Sequence, residues 1–192
     1  MKKVNIIFLN GVGSVGKTSI ANALQDILDE PYLHIGIDHF FVMLPNKYKP
    51  GGLKAKEGID FIMDKTKNGP VTKIHIGKVG KKLFNSMRDV MLLFAKDGFN
   101  LIIDEVILGD EFEEYKNLFK DFNFISIGVF APLDIVEKRE KQRKDRTWGL
   151  ARGQYDIIHA NKNYDLKIDT SKDAPDICAK KIKSYIEKTY EG

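Results

Sequence analysis

The sequence predicts an α/β fold in which a five-stranded parallel sheet carries helices on both of its faces. Short continuous apolar runs, typical of strands covered on both sides, alternate along the chain with segments of helical periodicity. Such alternation is typical of parallel sheets with right-handed crossover connections. The chain has 192 residues, 43% of them hydrophobic, which is enough for one core. We therefore expect a single domain over 1–192.

The strands and helices can be assigned in chain order. Strands are predicted at runs of strand length that are rich in apolar residues, namely 4–10, 32–37, 99–108, 124–131 and 164–170. Helices are predicted between them, mainly from apolar residues three and four positions apart, at 18–28, 39–44, 78–97, 110–121, 133–146, about 150–160 and 175–190. Pro45 should end the second of these helices, and Pro132 suits the first turn of the fifth.

The segment 45–77 departs from this regular alternation. It is rich in glycine and proline, and the stretches GIDFIMD and VTKIHIG flank a turn signal, KTKNGP. We therefore predict a small hairpin, inserted on the substrate side of the fold. Residues 47–82 also carry ten lysines and three acidic residues, a net charge of +7. A solvated surface accounts for such a run, and an anionic partner such as nucleic acid is the alternative.

The amino-terminal stretch MKKVNIIFLN is basic and then apolar, as in a signal peptide. Its apolar run is short, and glycines with a lysine follow it instead of a small-residue cleavage site, so we interpret it as the first strand. No apolar run approaches the roughly 18 residues of a membrane span. We expect a cytoplasmic protein without an internal disulfide, because Cys178 is the only cysteine.

A glycine-rich motif follows the first predicted strand. The stretch GVGSVGKT fits G-x-x-x-x-G-K-[ST], the phosphate-binding loop or P-loop, and it lies between a strand and an amphipathic helix as that motif requires. Glycines let peptide N–H groups close around phosphate oxygens, and the dipole of the following helix favours the same anion. The nucleotide contacts predicted here are Gly11, Val12, Gly13, Ser14, Val15, Gly16, Lys17 and Thr18.

Two side chains of this motif have distinct predicted roles. Lys17 offers a compact positive charge to the β and γ phosphates, and the hydroxyl of Thr18 can coordinate Mg²⁺. The fold prediction becomes a P-loop NTPase three-layer sandwich with a short lid. The alternative is an ordinary strand–turn–helix unit with a surface lysine.

A second candidate for the metal lies at the end of the third predicted strand. The stretch LIIDE ends in Asp104 and Glu105, and an acid at the carboxyl end of a strand can hold Mg²⁺ directly or through water. We assign the metal to Asp104 and expect Glu105 to face the acceptor. A solvated strand end or a helix cap is the alternative interpretation of Asp104.

Strand two ends in GID, so Asp38 lies on the rim where open α/β sheets bind ligands. A carboxylate there can accept a proton from a substrate hydroxyl, and we predict that Asp38 is the catalytic base. Its alternative role is the N-cap of the next helix, and His39 ranks behind it as a base. The apolar and aromatic residues considered for an acceptor pocket are Phe40, Phe41, Met43, Leu44 and Tyr48.

Three arginines, Arg139, Arg143 and Arg146, are spaced four and three residues apart and share one helical face. Phosphoryl transfer gains from cations that stabilise the charge of the transferring group, and such residues often lie on a mobile lid. We place this lid at about 138–152, with Arg143 and Arg146 as its catalytic cations and Arg139 as a nucleotide contact. A solvated helix is the alternative.

The order of LNGVGSVGKTSI, LHIGIDHF, LIIDEVILGD, REKQRKDRTWGLARGQYDIIH and YDLKIDT resembles chloramphenicol phosphotransferase and its relatives over nearly the whole chain. The resemblance implies a nucleoside-monophosphate-kinase-like fold, the use of ATP and Mg²⁺, and transfer of the γ-phosphate to a primary hydroxyl of the antibiotic. It places the general base on Asp38 and the lid arginines around Arg143 and Arg146. The lysine-rich segment 45–82 departs from what a neutral aromatic antibiotic would require, so a different or anionic hydroxylated acceptor stays open.

Two other function classes remain as alternatives. A nucleotide-controlled switch would need a base-reading element, and ANKNYD (160–165) matches the guanine-reading N-K-x-D only imperfectly, with Tyr164 in place of the aspartate. A kinase for nucleotides or nucleic-acid ends would use the lysine-rich segment. Gluconate- and shikimate-type kinases share the loop and belong with the first hypothesis. For adenine, only Thr170 and Ser171 are suggested, by their position after strand five.

Overall fold

Seven strands and seven α-helices occur in the computed structural model, which describes residues 3–143 and 147–190. The strands are β1 (Asn5–Asn10), β2 (Tyr32–Gly36), β3 (Ile59–Thr66), β4 (Gly69–Ile76), β5 (Asn100–Glu105), β6 (Asn123–Phe130) and β7 (Leu166–Asp169). The helices are α1 (Lys17–Ile27), α2 (Ile37–Phe41), α3 (Lys78–Lys96), α4 (Glu111–Leu118), α5 (Leu133–Gln142), α6 (Leu150–Tyr155) and α7 (Pro175–Tyr190).

Five strands form one parallel sheet in the order β2–β5–β1–β6–β7. Every residue of β1 and of β5 is buried, because these central strands are covered on both faces. In the register of the sheet, Leu9 lies opposite Asp104 on β5 and opposite Ile127 on β6. The predicted five-stranded parallel sheet is therefore confirmed, and β1 at its centre leads directly into the P-loop.

Helices cover both faces of the sheet, which gives the predicted three layers. Side chains alternate along a strand, so Leu9 and Ile102 face one core, which includes Leu24 of α1 and Ile182 of α7. The neighbouring side chains of β1 and β5 face a second core, where Phe8 packs with aromatic and sulfur-containing side chains of α3 and α4. The two cores fix the sheet between its helices and so fix the carboxyl ends of the strands.

The glycine- and proline-rich segment contains a hairpin outside the main sheet. Strands β3 and β4 pair antiparallel over eight positions, from Ile59 opposite Ile76 to Thr66 opposite Gly69. The turn lies where KTKNGP predicts it. The hairpin packs against α6, which follows α5 in the chain.

Several predicted elements end earlier than expected. β5 stops at Glu105 rather than 108, and α5 stops at Gln142 rather than 146. The predicted helix at 39–44 begins two residues sooner, at Ile37.

Cys178 is buried in α7. Within 3–143 and 147–190, no helix combines the length and the apolar character that crossing a membrane would need.

Candidate active site

The P-loop connects the end of β1 to the start of α1, and its geometry requires both glycines of the motif. Gly16 has φ = 109°, a left-handed conformation that favours glycine. A Cβ atom on Gly11 would lie 2.6 Å from the carbonyl oxygen of Val129 on β6. The loop therefore lies against the sheet, and its amides lie at the amino end of α1, where a helix favours anions.

Lys17 is buried, with only 6% of its surface exposed, although its side chain is charged. Its Nζ atom donates hydrogen bonds to the carbonyl oxygens of Gly11 and Val12, at 2.9 and 3.1 Å. The same atom lies 3.6 Å from Oδ1 of Asp104. The ammonium is thus held across the concave side of the loop, next to the strand-end carboxylate.

Ser14 is strained and carries an unsatisfied hydroxyl. Its φ of 61° is left-handed, which costs a residue with a Cβ atom roughly 1 kcal/mol or more. Its Oγ atom is buried and has no hydrogen-bond partner among the residues that the structure describes. A buried hydroxyl without a partner is unfavourable, and a phosphate oxygen in the loop is the kind of acceptor that would satisfy it.

The predicted metal-side pair is in contact. The hydroxyl of Thr18 donates a 2.7 Å hydrogen bond to Oδ2 of Asp104, which leaves the lone pairs of the threonine oxygen available. Burial acts to raise the pKa of Asp104, but the positive charge of Lys17, with the His34 ring and the Thr18 hydroxyl, outweighs it and lowers that pKa to about 2. A hydroxyl beside an ionised carboxylate is a hard oxygen donor set of the kind Mg²⁺ accepts.

His34 of β2 is a site residue that the sequence reasoning missed. Its Nε2 atom lies 3.7 Å from Oδ2 of Asp104, is buried, and has no hydrogen-bond partner within the described part of the chain. The register pairs His34 with Ile102 and Gly36 with Asp104, so alternation directs the histidine to the same face as the aspartate. His34 interrupts an otherwise apolar strand, and this feature of the sequence could have identified it as a candidate site residue.

Glu105 does not occupy the position expected of it. It follows Asp104 in β5, so its side chain points to the opposite face of the sheet, and it is not among the residues lining the cavity described below. Its side chain is buried, and its Oε1 atom has no hydrogen-bond partner among residues 3–143 and 147–190. Burial, and then the charge of Asp104, raise the pKa of Glu105 to about 8. The expectation that Glu105 faces an acceptor is therefore wrong.

A cavity of about 670 Å³ lies at the carboxyl edge of the sheet. It brings together the P-loop, the end of β2, the end of β5, the carboxyl end of α5 and the segment after β7. Its polar lining includes Ser14, Lys17, Thr18, His34, Asp38, His39, Asp104, Arg139, Gln142, Arg143, Thr170 and Ser171. The cavity walls thus contain most of the predicted site residues, although Gly11, Val12 and Val15 are not among its lining residues.

Asp38 lies in the first turn of α2, exposed to the cavity. Gly36, and not Asp38, is the N-cap of that helix, so the alternative structural role predicted for Asp38 is not the one observed. The carboxylate is close enough to the end of β5 that its charge contributes to the raised pKa of Glu105.

His39 is less suited to accept a proton than Asp38. Its Nδ1 atom accepts a 2.9 Å hydrogen bond from the backbone N–H of Gly36. A neutral imidazole that accepts at Nδ1 carries its proton at Nε2, so its second nitrogen is a donor. This geometry favours Asp38 over His39 as a base.

The three arginines singled out in the sequence differ in what the structure describes of them. Arg139 donates hydrogen bonds to the carbonyl oxygens of Val15 and Thr170, at 3.2 and 2.8 Å, and so ties α5 to the P-loop and to the segment after β7. Arg143 follows α5 in an extended conformation and lines the cavity. Arg146, the other predicted lid cation, lies outside the described residues.

The aromatic and apolar residues considered for an acceptor pocket do not line this cavity. Leu44 is buried, Met43 is exposed, and Phe40 packs against the core that contains Phe8. The ANKNYD segment also lies away from the cavity, which is instead lined by residues 170–175. Asp165 in that segment accepts hydrogen bonds from the backbone N–H and the hydroxyl of Ser126, at 2.7 and 2.6 Å. It is therefore engaged in holding β6.

Comparisons with known proteins agree with this geometry. A family model described as "Chloramphenicol phosphotransferase-like protein" matches residues 4–187. Two proteins from strains of Mycobacterium tuberculosis, provisionally named O-phosphotransferases, are each 28% identical over 183 residues, covering 89% of this chain and 77% of theirs. A sugar kinase from Janibacter sp. has a similar fold, with a TM-score of 0.66 and 16% identity over 98% of this chain and 97% of its own.

The APS kinase of Mycobacterium tuberculosis, solved in complex with AMPPNP and APS, has a TM-score of 0.64 at 15% identity, covering 97% of this chain and 99% of its own. At these low identities the two solved structures establish the fold alone, which is that of the P-loop kinases.

Proposed function

The chain belongs to the chloramphenicol phosphotransferase-like family, and from that premise we propose that it transfers the γ-phosphate of ATP to a hydroxyl of a small molecule. One observation carries the proposal. A carboxylate, Asp38, shares a single cavity with the P-loop and with the Thr18–Asp104 pair. A site of this kind has the groups needed to hold a phosphate chain and to prepare an alcohol beside it.

The P-loop and its neighbours would hold the nucleotide and the metal. The amides of the loop, Lys17 and the unsatisfied Ser14 hydroxyl suit the phosphate oxygens. The hydrogen bond from Thr18 to Asp104 supports a shared role at Mg²⁺, in which the threonine oxygen would be the ligand. Bound Mg²⁺ neutralises charge on the phosphate oxygens of such a substrate. Thr170, Ser171 and Arg139 also line the cavity, and we propose that their wall takes the base end of the nucleotide.

Asp38 accepts the hydroxyl proton of the acceptor in this mechanism. The alcohol oxygen forms a bond to the γ phosphorus as the bond from that phosphorus to the β–γ bridging oxygen breaks, and ADP departs with the bridging oxygen. Lys17, together with Arg143 and the lid cation Arg146, is proposed to stabilise the negative charge of the transferring group. The products are the phosphorylated acceptor, ADP and the proton taken by Asp38.

The cavity favours a neutral acceptor over an anionic one. Among the described residues, its lysines and arginines lie on the P-loop, on α5 with the residue after it, and after β7, and none of them lies on the wall formed by β2 and α2 around Asp38. None of the ten lysines of 47–82 is among its described lining residues. Several of them have local partners instead: Lys47 and Lys54 lie over the ring of Tyr48, and Lys78 is 3.6 Å from Glu57.

A kinase for nucleic-acid ends remains the second candidate because of the net charge of +7 over 47–82. Binding of RNA or DNA through that segment would weaken steeply as salt rises. If single-stranded oligonucleotides bind with such a salt dependence and are phosphorylated, the second candidate replaces the first. We expect neither result.

The experiment is a screen of hydroxylated compounds, chloramphenicol included, for ATP consumption in the presence of Mg²⁺. Each hit is checked by mass spectrometry for a product that is one phosphoryl group heavier. We expect Asp38→Asn to lose acceptor-dependent turnover by roughly a hundredfold or more while MgATP still binds. The control is Asp26→Asn, an exposed position on α1 outside the cavity. Full turnover in Asp38→Asn would refute the assigned base, and absence of MgATP binding to the native chain would refute the function.

A further inference from the structure

Helix α6 is joined to the hairpin by backbone and side-chain hydrogen bonds. Thr72 of β4 is only 1% exposed, and its backbone N–H donates to the carbonyl oxygen of Gly149 at 2.9 Å. The Thr72 hydroxyl donates to the carbonyl oxygen of Trp148, also at 2.9 Å. The outer edge of the hairpin therefore pairs with the residues that lead into α6.

Two glycines allow this close approach. Gly149 has φ = 89°, and a Cβ atom there would lie 2.6 Å from the carbonyl oxygen of Pro70. A Cβ atom on Gly153, one turn into α6, would lie 2.3 Å from the carbonyl oxygen of Thr72. Any side chain at Gly153 must therefore move α6 away from the hairpin.

The preceding helix holds α6 from another side. Glu140 of α5 is 2% exposed, and its two carboxylate oxygens accept hydrogen bonds from the backbone N–H groups of Gly149 and Ala151, at 2.8 and 2.9 Å. Arg152 of α6 forms an ion pair with Glu137 of α5. With the start of α6 fixed on two sides, the helix has little freedom to move independently of the hairpin.

The far end of α6 reaches the P-loop. Gln154, only 4% exposed, accepts a 3.2 Å hydrogen bond at Oε1 from the backbone N–H of Gly13. Gly13 lies directly before Ser14, the residue with the strained backbone and the unsatisfied hydroxyl. Holding the Gly13 N–H fixes the peptide plane between Val12 and Gly13, one residue before the strained Ser14.

We infer that Gln154 is a positioning residue, and that α6 acts as a strut through which the hairpin sets the conformation of the P-loop and hence its affinity for nucleotide. This inference rests on the proposed nucleotide binding. The hairpin does not need to touch the nucleotide for this effect. A displacement at Thr72 moves α6, and α6 moves the group that holds Gly13.

A double-mutant cycle tests the strut. Gly153→Ala pushes α6 from the hairpin, and Gln154→Met removes the hydrogen bond to Gly13 while keeping a side chain of similar length. We expect each change to weaken MgATP binding, measured by calorimetry, about fivefold, the effect of losing one hydrogen bond. The double variant should bind no more weakly than Gln154→Met, because the hairpin acts through Gln154.

Multiplied effects in the double variant would overturn the inference, as would unchanged affinity in either single variant. Met91→Ala, a fully buried change on α3 at the opposite face of the sheet, is the control for lost stability and should leave the affinity unchanged. If Gly153→Ala does not fold, Thr72→Val takes its place in the cycle. A native chain that binds no MgATP would refute the proposed function, whereas binding with multiplied effects refutes only the strut.

Discussion

Replacing Glu105 with glutamine should make the protein more stable at alkaline pH and change it little in acid. The side chain is 1% exposed, and Oε1 has no hydrogen-bond partner among the residues that the structure describes. Burial and the neighbouring charge of Asp104 raise the pKa of Glu105 from 4.5 to about 8. Ionising this carboxyl in the folded state is therefore costly.

The sign and size of the effect follow from proton linkage. Between about pH 4.5 and 8 the folded protein keeps the Glu105 proton while the unfolded chain has lost it, because the folded pKa is the higher one. The stabilising contribution is fully present below the unfolded pKa. It is lost at about 1.4 kcal/mol per pH unit as the pH rises towards the folded pKa. The accumulated loss is roughly 3 kcal/mol at pH 7 and approaches roughly 5 kcal/mol above pH 8.

Urea unfolding of the native chain and of Glu105→Gln, over about pH 5 to 9 with EDTA and without nucleotide, measures this loss. An amide cannot ionise, so the stability of the variant relative to the native chain should rise by several kcal/mol across that range. Glu113→Gln is the control, because Glu113 is 66% exposed on α4. Parallel stability curves for the native chain and Glu105→Gln would show that this carboxyl is not held protonated by its surroundings.

Two further predictions concern the phosphate side of the cavity. Asp104→Asn removes the charge that holds Thr18 and lies near Lys17. Mg²⁺ should strengthen ADP binding in the native chain, and we expect this strengthening to be at least about tenfold smaller in the variant, measured by calorimetry with and without EDTA. An unchanged Mg²⁺ effect would contradict the metal assignment. Ser14→Gly removes both the left-handed strain and the buried hydroxyl, so the free energy of unfolding should rise by about 1 kcal/mol while MgATP binds about fivefold more weakly. Unchanged MgATP affinity, or a fall in the free energy of unfolding, would count against the role given to the Ser14 hydroxyl.

The fold could be predicted because its signals are local. Continuous apolar runs specify buried parallel strands, and the P-loop spacing is contained within eight residues. The ends of elements depend on distant partners instead. Residues 106–108 continue the apolar run of β5, yet the backbone N–H of Ile107 donates at 2.8 Å to Oδ1 of Asn10 on β1. A side chain from another strand thus replaces the expected ladder partner, and the strand ends.

The placement of the candidate site residues at one edge of the sheet was predictable to the same degree. Asp38 and Asp104 could be found because each ends a predicted strand, and the carboxyl ends of parallel strands meet at one edge. His34 and Gln154 were missed because their partners, Asp104 and Gly13, are supplied by other elements. No spacing within α5 or α6 indicates that Gln154 reaches the P-loop. Tertiary packing alone brings these groups together.

Asp104 and Glu105 show how the fold gives two neighbouring acids different protonation states. Alternation along β5 sends Asp104 towards Lys17 and Thr18, where its pKa is about 2, and sends Glu105 into the apolar layer of α3 and α4, where its pKa is about 8. At neutral pH the strand end therefore carries one negative charge and not two. A second carboxylate charge behind the P-loop would repel a triphosphate over the short distances of this edge. The protonated state of Glu105 thus favours the phosphate binding that we propose, although its side chain does not line the cavity.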